Sequence, residues 1–211
     1  MKQEILGVAL LVVTPSVALA QRGPIVVGGG LGVTAPASTL GDRADSSTGF
    51  EGFGSWPIRD QWRFRADAGF DRFSLSQNAG VDCIAHGFEC HDRVGHADAG
   101  IEVAARRSRS PVWPFGFAEL GVYNFKQEAA AGSFAVSSTS TNWGGGFGGG
   151  VRAALGADWG VGAQLSTRWW RQGDAAATQT YWFLEPAAIA YYQFGRQTPP
   201  PNRPRRAPAK R

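Results

Sequence analysis

The sequence predicts an all-β fold, an eight-stranded antiparallel up-and-down transmembrane β-barrel. Three observations predict it: eight segments alternate between apolar and polar residues, the gaps between them alternate between long and short, and the tryptophans lie at segment ends. A period of two is typical of strands whose two faces differ chemically. Barrels that cross a bacterial outer membrane join such strands by long outer loops and tight periplasmic turns.

The eight predicted strands are residues 24–34, 49–58, 62–75, 93–106, 113–127, 142–155, 160–173 and 181–194. The long gaps are residues 35–48, 76–92, 128–141 and 174–180, and the short gaps are residues 59–61, 107–112 and 156–159. A water-soluble sandwich has no reason to place every long loop at one end. This rhythm therefore favours the membrane barrel.

The third, fourth and last strands separate their faces most clearly. Their apolar rows are Trp62, Phe64, Ala66, Ala68 and Phe70; Ala97, Ala99, Ile101, Val103 and Ala105; and Trp182, Leu184, Pro186, Ala188, Ala190, Tyr192 and Phe194. Charged residues lie on the opposite rows, and we expect the apolar rows to contact lipid. The same alternation points Leu120, Val122, Val151, Ala153, Leu165 and Thr167 outward.

The opposite rows place ten charged side chains inside the barrel. They are Arg63, Arg65, Asp67, Asp71, Asp98, Glu102, Glu119, Arg152, Arg168 and Glu185. One arginine facing lipid at the bilayer midplane would cost about 2–4 kcal/mol. Inside a narrow barrel, ion pairs and hydrogen bonds must satisfy such charges. We therefore expect a lumenal ion-pair network.

All eight tryptophans lie at or near the ends of predicted strands. Trp56, Trp62, Trp113 and Trp159 fall at the short-turn ends, and Trp143, Trp169, Trp170 and Trp182 fall at the long-loop ends. Two bands are typical of aromatic girdles at both membrane interfaces. A soluble lipocalin-like barrel, with its apolar rows inward and tryptophans packed at its mouths, is the alternative.

The two ends of the chain differ from its body. Residues 1–20 are predicted to be a secretory signal, with Lys2, an apolar run at 5–13 and the cleavage sequence Ala18-Leu19-Ala20. Residues 21–194 are assigned to the barrel and residues 195–211 to a disordered, basic, proline-rich periplasmic tail. Because the tail carries six cations and no acid, the net charge of +4 leaves −2 on the body. The excess of basic residues is therefore confined to the tail, and we predict no nucleic-acid partner.

Three segments, 25–32, 114–123 and 190–194, resemble a known family. The chain is similar to the small eight-stranded outer-membrane barrels, which include the barrel domain of outer membrane protein A and outer membrane protein X. The resemblance implies the outer membrane of a Gram-negative-type bacterium, contact with its lipids and lipopolysaccharide, and insertion by the barrel assembly machinery, with Tyr192 and Phe194 as the assembly signal. In many members the aromatic residue ends the chain, whereas seventeen residues follow Phe194 here.

Cys83 and Cys90 lie in a predicted outer loop together with His86 and His91. An exported chain meets an oxidising periplasm, so a disulfide between the two cysteines is the main expectation. Zinc bound by these four residues is an alternative, although their spacing matches no common zinc module. Free thiols are the third interpretation.

His96 and Asp98 are the candidate catalytic pair. They share one strand face and are expected to belong to the ion-pair network, so no catalytic residue is assigned; the alternative is an acid–base dyad in a membrane-embedded hydrolase. The glycine-rich segment 144–150 lacks the Lys-Ser/Thr and the following helix of a phosphate-binding loop. We therefore predict no cofactor and no metal.

The predicted function is that of a monomeric, non-enzymatic outer-membrane barrel. We expect a structural or surface-interaction role: membrane integrity, adhesion or ligand contact through extracellular loops. An eight-stranded interior is wide enough only for side chains, which disfavours a conducting porin. The alternatives are a lipid A deacylase or protease type of hydrolase and a narrow pore. The basic tail is expected to contact peptidoglycan or anionic lipid, or to remain solvated.

Overall fold

The computed structural model describes residues 23–37, 44–59, 61–74, 89–105, 111–131, 134–173 and 178–195. These residues form eight strands, which are β1 (Ile25–Ala37), β2 (Ser47–Arg59), β3 (Trp62–Ser74), β4 (Glu89–Ala104), β5 (Val112–Ala131), β6 (Phe134–Ala154), β7 (Trp159–Gly173) and β8 (Thr178–Phe194). Within the same ranges there is no apolar helix of membrane-spanning length.

Each strand pairs antiparallel with its neighbour in the chain, and β1 closes the sheet by pairing with β8. The closing register runs from Ile25 opposite Phe194 to Ala37 opposite Trp182. The predicted eight-stranded antiparallel up-and-down barrel is therefore confirmed. Closure leaves no sheet edge along the paired part of the wall, so the backbone polar groups there are satisfied without water.

The strands turn one row of side chains inward and the other outward. In β8 the burial alternates residue by residue from Tyr181 to Phe194, with Glu185 buried and Leu184 exposed. Apolar residues dominate the outward rows, where Leu31, Leu120 and Leu165 are all more than half exposed to the surroundings. This arrangement suits an exterior solvated by hydrocarbon.

The hairpin formed by β5 and β6 is longer than predicted. These strands have 20 and 21 residues, and their register extends to Ala131 opposite Phe134. The predicted loop at 128–141 is therefore wrong for most of its length. Its serine and threonine residues suggest a loop, but threonine is β-branched and suits a pleated strand once a partner strand is present. Smaller shifts start β4 at Glu89 and β8 at Thr178.

The glycine-rich segment of β6 makes room for large side chains inside the barrel. A Cβ atom added to Gly148 would lie 2.8 Å from Phe117 Cζ, and one added to Gly144 would lie 2.7 Å from the Tyr123 ring. Both distances are too short for a real side chain. Glycine at these inward positions therefore lets β6 lie close to aromatic rings from β5.

Several predicted features lie outside the described residues. These are the signal at 1–20, the tail after residue 195, Cys83 and His86. Cys90 belongs to β4, but only its backbone is described. The disulfide, its zinc alternative, the signal and the tail therefore stay predictions.

Candidate functional site

The barrel interior consists of a charged layer between two aromatic clusters. The lower aromatic cluster, toward the short turns, contains Val26, Phe53, Ala104, Trp113, Phe115, Phe117, Ile189 and Tyr191. The upper aromatic cluster, toward the long loops, contains Ala44, Phe73, Val94, Tyr123, Phe125, Trp170, Tyr181 and Phe183. Because long loops of such barrels lie outside the cell, the lower cluster faces the periplasm and the upper one the exterior.

All ten predicted charged residues are buried inside the barrel. Their exposed fractions range from 0% to 8%. An isolated charge in such a place is costly, so the partners of these groups determine whether the interior is stable. The contacts fall into two groups, one around Arg168 and one around Glu102.

Arg168 on β7 binds carboxylates from four other strands. Its Nη2 donates to Glu51 Oε2 at 2.9 Å, and its Nη1 donates to Asp98 Oδ2 at 2.9 Å and to Asp67 Oδ1 at 3.2 Å. Its Nε lies 3.4 Å from Glu185 Oε2. One guanidinium thus connects β2, β3, β4 and β8 to β7.

Glu102 on β4 is the second centre of the network. Arg152 binds it in a bidentate manner, with Nη1 and Nη2 donating at 2.8 and 2.7 Å, and Arg63 Nε lies 3.3 Å away. Arg65 Nη1 approaches the same carboxylate at 3.5 Å, while its Nε lies 3.0 Å from Glu119 Oε1. Planar bidentate geometry makes the Arg152 pair the strongest type of charged contact.

The lower aromatic cluster is stacked against this second centre. The Arg65 guanidinium lies 4.2 Å from the centroid of the Phe117 ring, and the Arg152 guanidinium lies 4.1 Å from that of Phe115. A cation over a ring face is stabilised by the ring quadrupole, more so when it is desolvated. The charged layer and the aromatic cluster therefore pack as one continuous interior.

Asp71 is separate from these two centres. It accepts a hydrogen bond from the Thr34 hydroxyl, and among the described residues it forms no salt bridge with an arginine. The structure thus places this predicted member in the interior but not in the arginine-centred contacts.

Two polar residues that sequence reasoning missed belong to the network. Glu51 on β2 binds Arg168 and accepts a hydrogen bond from the amide of Gln164. Ser55 accepts from Arg63 Nε at 2.6 Å and donates to Glu102 at 3.0 Å. The signal for Glu51 was available, since it is the only charge between positions 49 and 58 and shares its row with Ser55.

His96 and Asp98 do lie in contact, but as part of the network. His96 Nδ1 is 2.9 Å from Asp98 Oδ2, which also accepts hydrogen bonds from Arg168 and, at 3.2 Å, from the Tyr123 hydroxyl. The His96 side chain is 1% exposed, and its ring stacks on Tyr123 of the upper aromatic cluster. A substrate would have to displace that cluster to reach the pair.

The same region offers a group of metal-ligand type. Ligand atoms of Asp67, His96 and Asp98 all lie within 4.8 Å of one another. Arg168 already occupies an oxygen atom of both carboxylates. The guanidinium therefore supplies the positive charge that a cation would bring.

Six of the eight tryptophans lie on the outward rows. Trp62, Trp143 and Trp159 are 54%, 76% and 62% exposed, while Trp56, Trp169 and Trp182 are partly buried. Outward rings pack in pairs, with Trp56 on Phe64 and Trp169 on Trp182. They are positioned as membrane-interface residues would be.

The predicted membrane-interface position is wrong for Trp113 and Trp170. Both side chains point into the barrel, where they are 5% and 0% exposed and belong to the lower and upper aromatic clusters. Alternation explains the result, because Trp113 shares the inward parity of Glu119 and Trp170 that of Arg168. Whether a tryptophan faces the membrane therefore depends on its inward or outward parity, and not on its nearness to a strand end.

The predicted assembly residues lie on the outward row of β8. Phe194 is half exposed, and its ring lies 4.6 Å from that of Tyr192, which in turn contacts Trp159 at 4.8 Å. The last strand therefore ends in an aromatic group at the periplasmic end of the wall.

At the level of the upper aromatic cluster, β6 separates from β7. Its pairing with β7 ends at Gly144 opposite Trp170, whereas its pairing with β5 continues to Phe134. Residues 134–143, here called the β6 extension, thus pair on one side only among the described residues. With β5 they project beyond the point where the wall is closed.

Comparison with known proteins agrees with this geometry. A family model described as outer membrane protein beta-barrel domain matches residues 5–181. No curated protein sequence matches the chain.

Solved structures with the same fold include small barrels from several bacteria. Neisserial surface protein A is 19% identical, with a TM-score of 0.52, covering 81% of this chain and 97% of its own. The attachment invasion locus protein Ail of Yersinia pestis is 12% identical, with a TM-score of 0.53 and coverage of 82% and 100%. OprG of Pseudomonas aeruginosa is 15% identical, with a TM-score of 0.54 and coverage of 83% and 98%. At these identities the likeness shows the fold.

Proposed function

Because this chain belongs to the outer membrane protein beta-barrel domain family and is located in the outer membrane, we propose that it is a non-enzymatic surface-interaction protein. Its barrel serves as a membrane anchor, and the part that contacts a partner lies on the extracellular side. The observation that carries this proposal is an interior filled with its own side chains, beneath a hairpin that extends outward.

The interior contacts support an anchor rather than a pore. The lower aromatic cluster lies below the charged layer and the upper aromatic cluster above it, and Arg168 alone connects five strands. Ions crossing this interior would have to break buried ion pairs, and leaving one partner of such a pair unpaired is costly. The same packing argues against a hydrolase at His96 and Asp98.

The β6 extension supports an extracellular contact surface. Its residues 135–139 are exposed and uncharged, and one of its backbone edges is unpaired among the described residues. An exposed strand edge can add a strand from another protein, with main-chain hydrogen bonds supplying affinity. A surface role is in keeping with the name of one protein of the same fold, the attachment invasion locus protein.

Other predicted partners remain predictions. They are lipopolysaccharide contact, recognition of Tyr192 and Phe194 by the barrel assembly machinery, and peptidoglycan or lipid contact by the tail. The monomeric state is likewise a prediction.

A shortened hairpin tests the proposal. Gln127 and Ser138 are register partners, so residues 128–137 can be replaced by an Asn-Gly turn that keeps the pairing below. We expect bacteria displaying the full-length protein to adhere to cultured epithelial cells, and the shortened variant to lose that adherence while still folding. In planar bilayers the wild-type barrel should not conduct. Steady conductance, or equal adherence of both forms, would contradict the proposal.

A further inference from the structure

Three cations lie side by side on the outward face of the barrel. Arg72 on β3 is the register partner of Arg93 on β4, and Arg93 is the partner of Lys126 on β5. Their chain neighbours Asp71, Phe73, Asp92, Val94 and Phe125 are all buried in the interior. The three cationic side chains therefore point away from the barrel axis, and Arg93 and Lys126 are 37% and 39% exposed.

This cation row is unfavourable for folding by itself. Like charges directly opposite each other on neighbouring strands repel and destabilise a sheet. The compensating charge comes from Glu128, which lies 2.9 Å from Arg93 Nη2 and 2.7 Å from Lys126 Nζ. Three cations and one carboxylate leave a net charge of +2 on this part of the wall. An anionic ligand would offset the remaining repulsion.

The row lies at the upper boundary of the apolar band. Below Arg72, the outward residues of β3 are Phe70, Ala68, Ala66, Phe64 and Trp62. Arg72 lies ten positions after Trp62 along β3. At about 3.3 Å per residue and a tilt of about 40°, this corresponds to a height of about 25 Å, the thickness of the apolar band on such barrels. The three cations therefore reach the level of the outer headgroups.

We propose that Arg72, Arg93 and Lys126 bind the phosphate groups of lipid A in the outer leaflet. The row faces sideways into the leaflet, which favours a membrane glycolipid over a soluble anion arriving from above. Each guanidinium can bind phosphate with two parallel hydrogen bonds, and the lysine adds a point charge. Lys126 is the register partner of Thr139 in the β6 extension. The lipid site uses charged side chains that face the leaflet, whereas the proposed surface role uses the backbone edge of β6, so the lipid site does not depend on that role.

The test is lipid retention by full-length protein in nanodiscs containing diphosphoryl lipid A, measured by native mass spectrometry. The variant carries Arg72→Gln, Arg93→Gln and Lys126→Gln, and heat-modifiable migration in detergent gels verifies that it folds. Arg171→Gln is the matched control, because Arg171 is an exposed cation on β7, outside the row. Each removed cation should weaken binding about fivefold, so the triple variant should lose on the order of a hundredfold while the control binds as wild type.

Two further arms identify the ligand chemistry. With lipid A that lacks phosphates, wild-type protein and the triple variant should show equally weak retention. Glu128→Gln, which removes the competing carboxylate, should strengthen retention of diphosphoryl lipid A. Equal retention by wild type and a folded triple variant would overturn the proposal. The proposal would also be overturned if the cation row bound free inorganic phosphate or heparin but showed no preference for phosphorylated lipid A.

Discussion

Arg168 on β7 donates a hydrogen bond from Nη2 to Glu51 Oε2 on β2, at 2.9 Å. The two strands are not neighbours, since β8 and β1 lie between them in the barrel. The bond therefore crosses the interior instead of following the wall. It ties together residues 117 positions apart, and the same guanidinium also holds Asp67 and Asp98.

Replacing this guanidinium should destabilise the barrel strongly. Arg168→Met leaves the carboxylates of Glu51, Asp67 and Asp98 without their shared partner, and removing one member of a buried pair costs about 3–5 kcal/mol. Urea unfolding in lipid vesicles measures the loss. Arg171→Met is the control, because the exposed Arg171 should change stability by about 0.5 kcal/mol or less. Similar midpoints for both variants would show that the central network does not stabilise the fold.

Adjacent tryptophans on β7 should respond in opposite ways. Trp170 is fully buried in the upper aromatic cluster, whereas Trp169 lies on the outward row. Trp170→Phe and Trp169→Phe variants, combined with brominated lipids, report which ring contacts the bilayer. Brominated lipids quench only rings that contact the bilayer. Trp169→Phe should therefore lower the fraction of the total tryptophan fluorescence that is quenched, and Trp170→Phe should raise that fraction. The reverse pattern would mean that β7 is inserted with the opposite parity.

Glycines on the inward and outward rows should differ in how well they tolerate replacement by alanine. A Cβ at Gly148 would lie 2.5 Å from the backbone oxygen of Leu165 and 2.8 Å from Phe117 Cζ, whereas none of the described atoms lies within 4 Å of a Cβ at Gly95. Gly148→Ala should therefore cost about 1–3 kcal/mol through overpacking, and Gly95→Ala should be close to neutral. Urea midpoints of the two variants provide the comparison. A neutral Gly148→Ala would show that the backbone of β7 at Leu165 and the Phe117 ring can both move aside.

The fold and the sidedness of its strands followed from simple periodicity. Rows such as Trp62, Phe64 and Ala66 against Arg63, Arg65 and Asp67 determine the direction of β3, because a charge facing lipid is far more costly than a paired charge inside. The same parity, applied to every strand, would also have placed Glu51 inward and excluded Trp113 and Trp170 from the membrane interface.

Other features needed the register between strands. The cation row is not visible along the chain, because Arg72, Arg93 and Lys126 are separated by 21 and 33 positions and meet only through pairing. The length of β6 depended on its partner as well, since its serine and threonine residues form a strand only beside β5. Cross-strand neighbours cannot be read from one strand's pattern.

Acid should selectively weaken the outer end of the β4–β5 hairpin. Glu128 lies two residues beyond the cation row, outside the apolar band, and the hydrogen bond from Lys126 with the nearby Arg93 charge lowers the pKa of its carboxyl below the ordinary value. A carboxyl with a lowered folded pKa contributes stability that is fully present above its unfolded pKa of about 4.3 and is lost as pH falls through the folded value. His91 on β4 and Ser137 on β6 are its register partners, and Arg72 adds to the positive surroundings. Urea unfolding at different pH values measures this effect. Wild type should lose stability relative to Glu128→Gln between about pH 5 and pH 3. Parallel stability curves for the two proteins over that range would show that Glu128 does not neutralise the cation row.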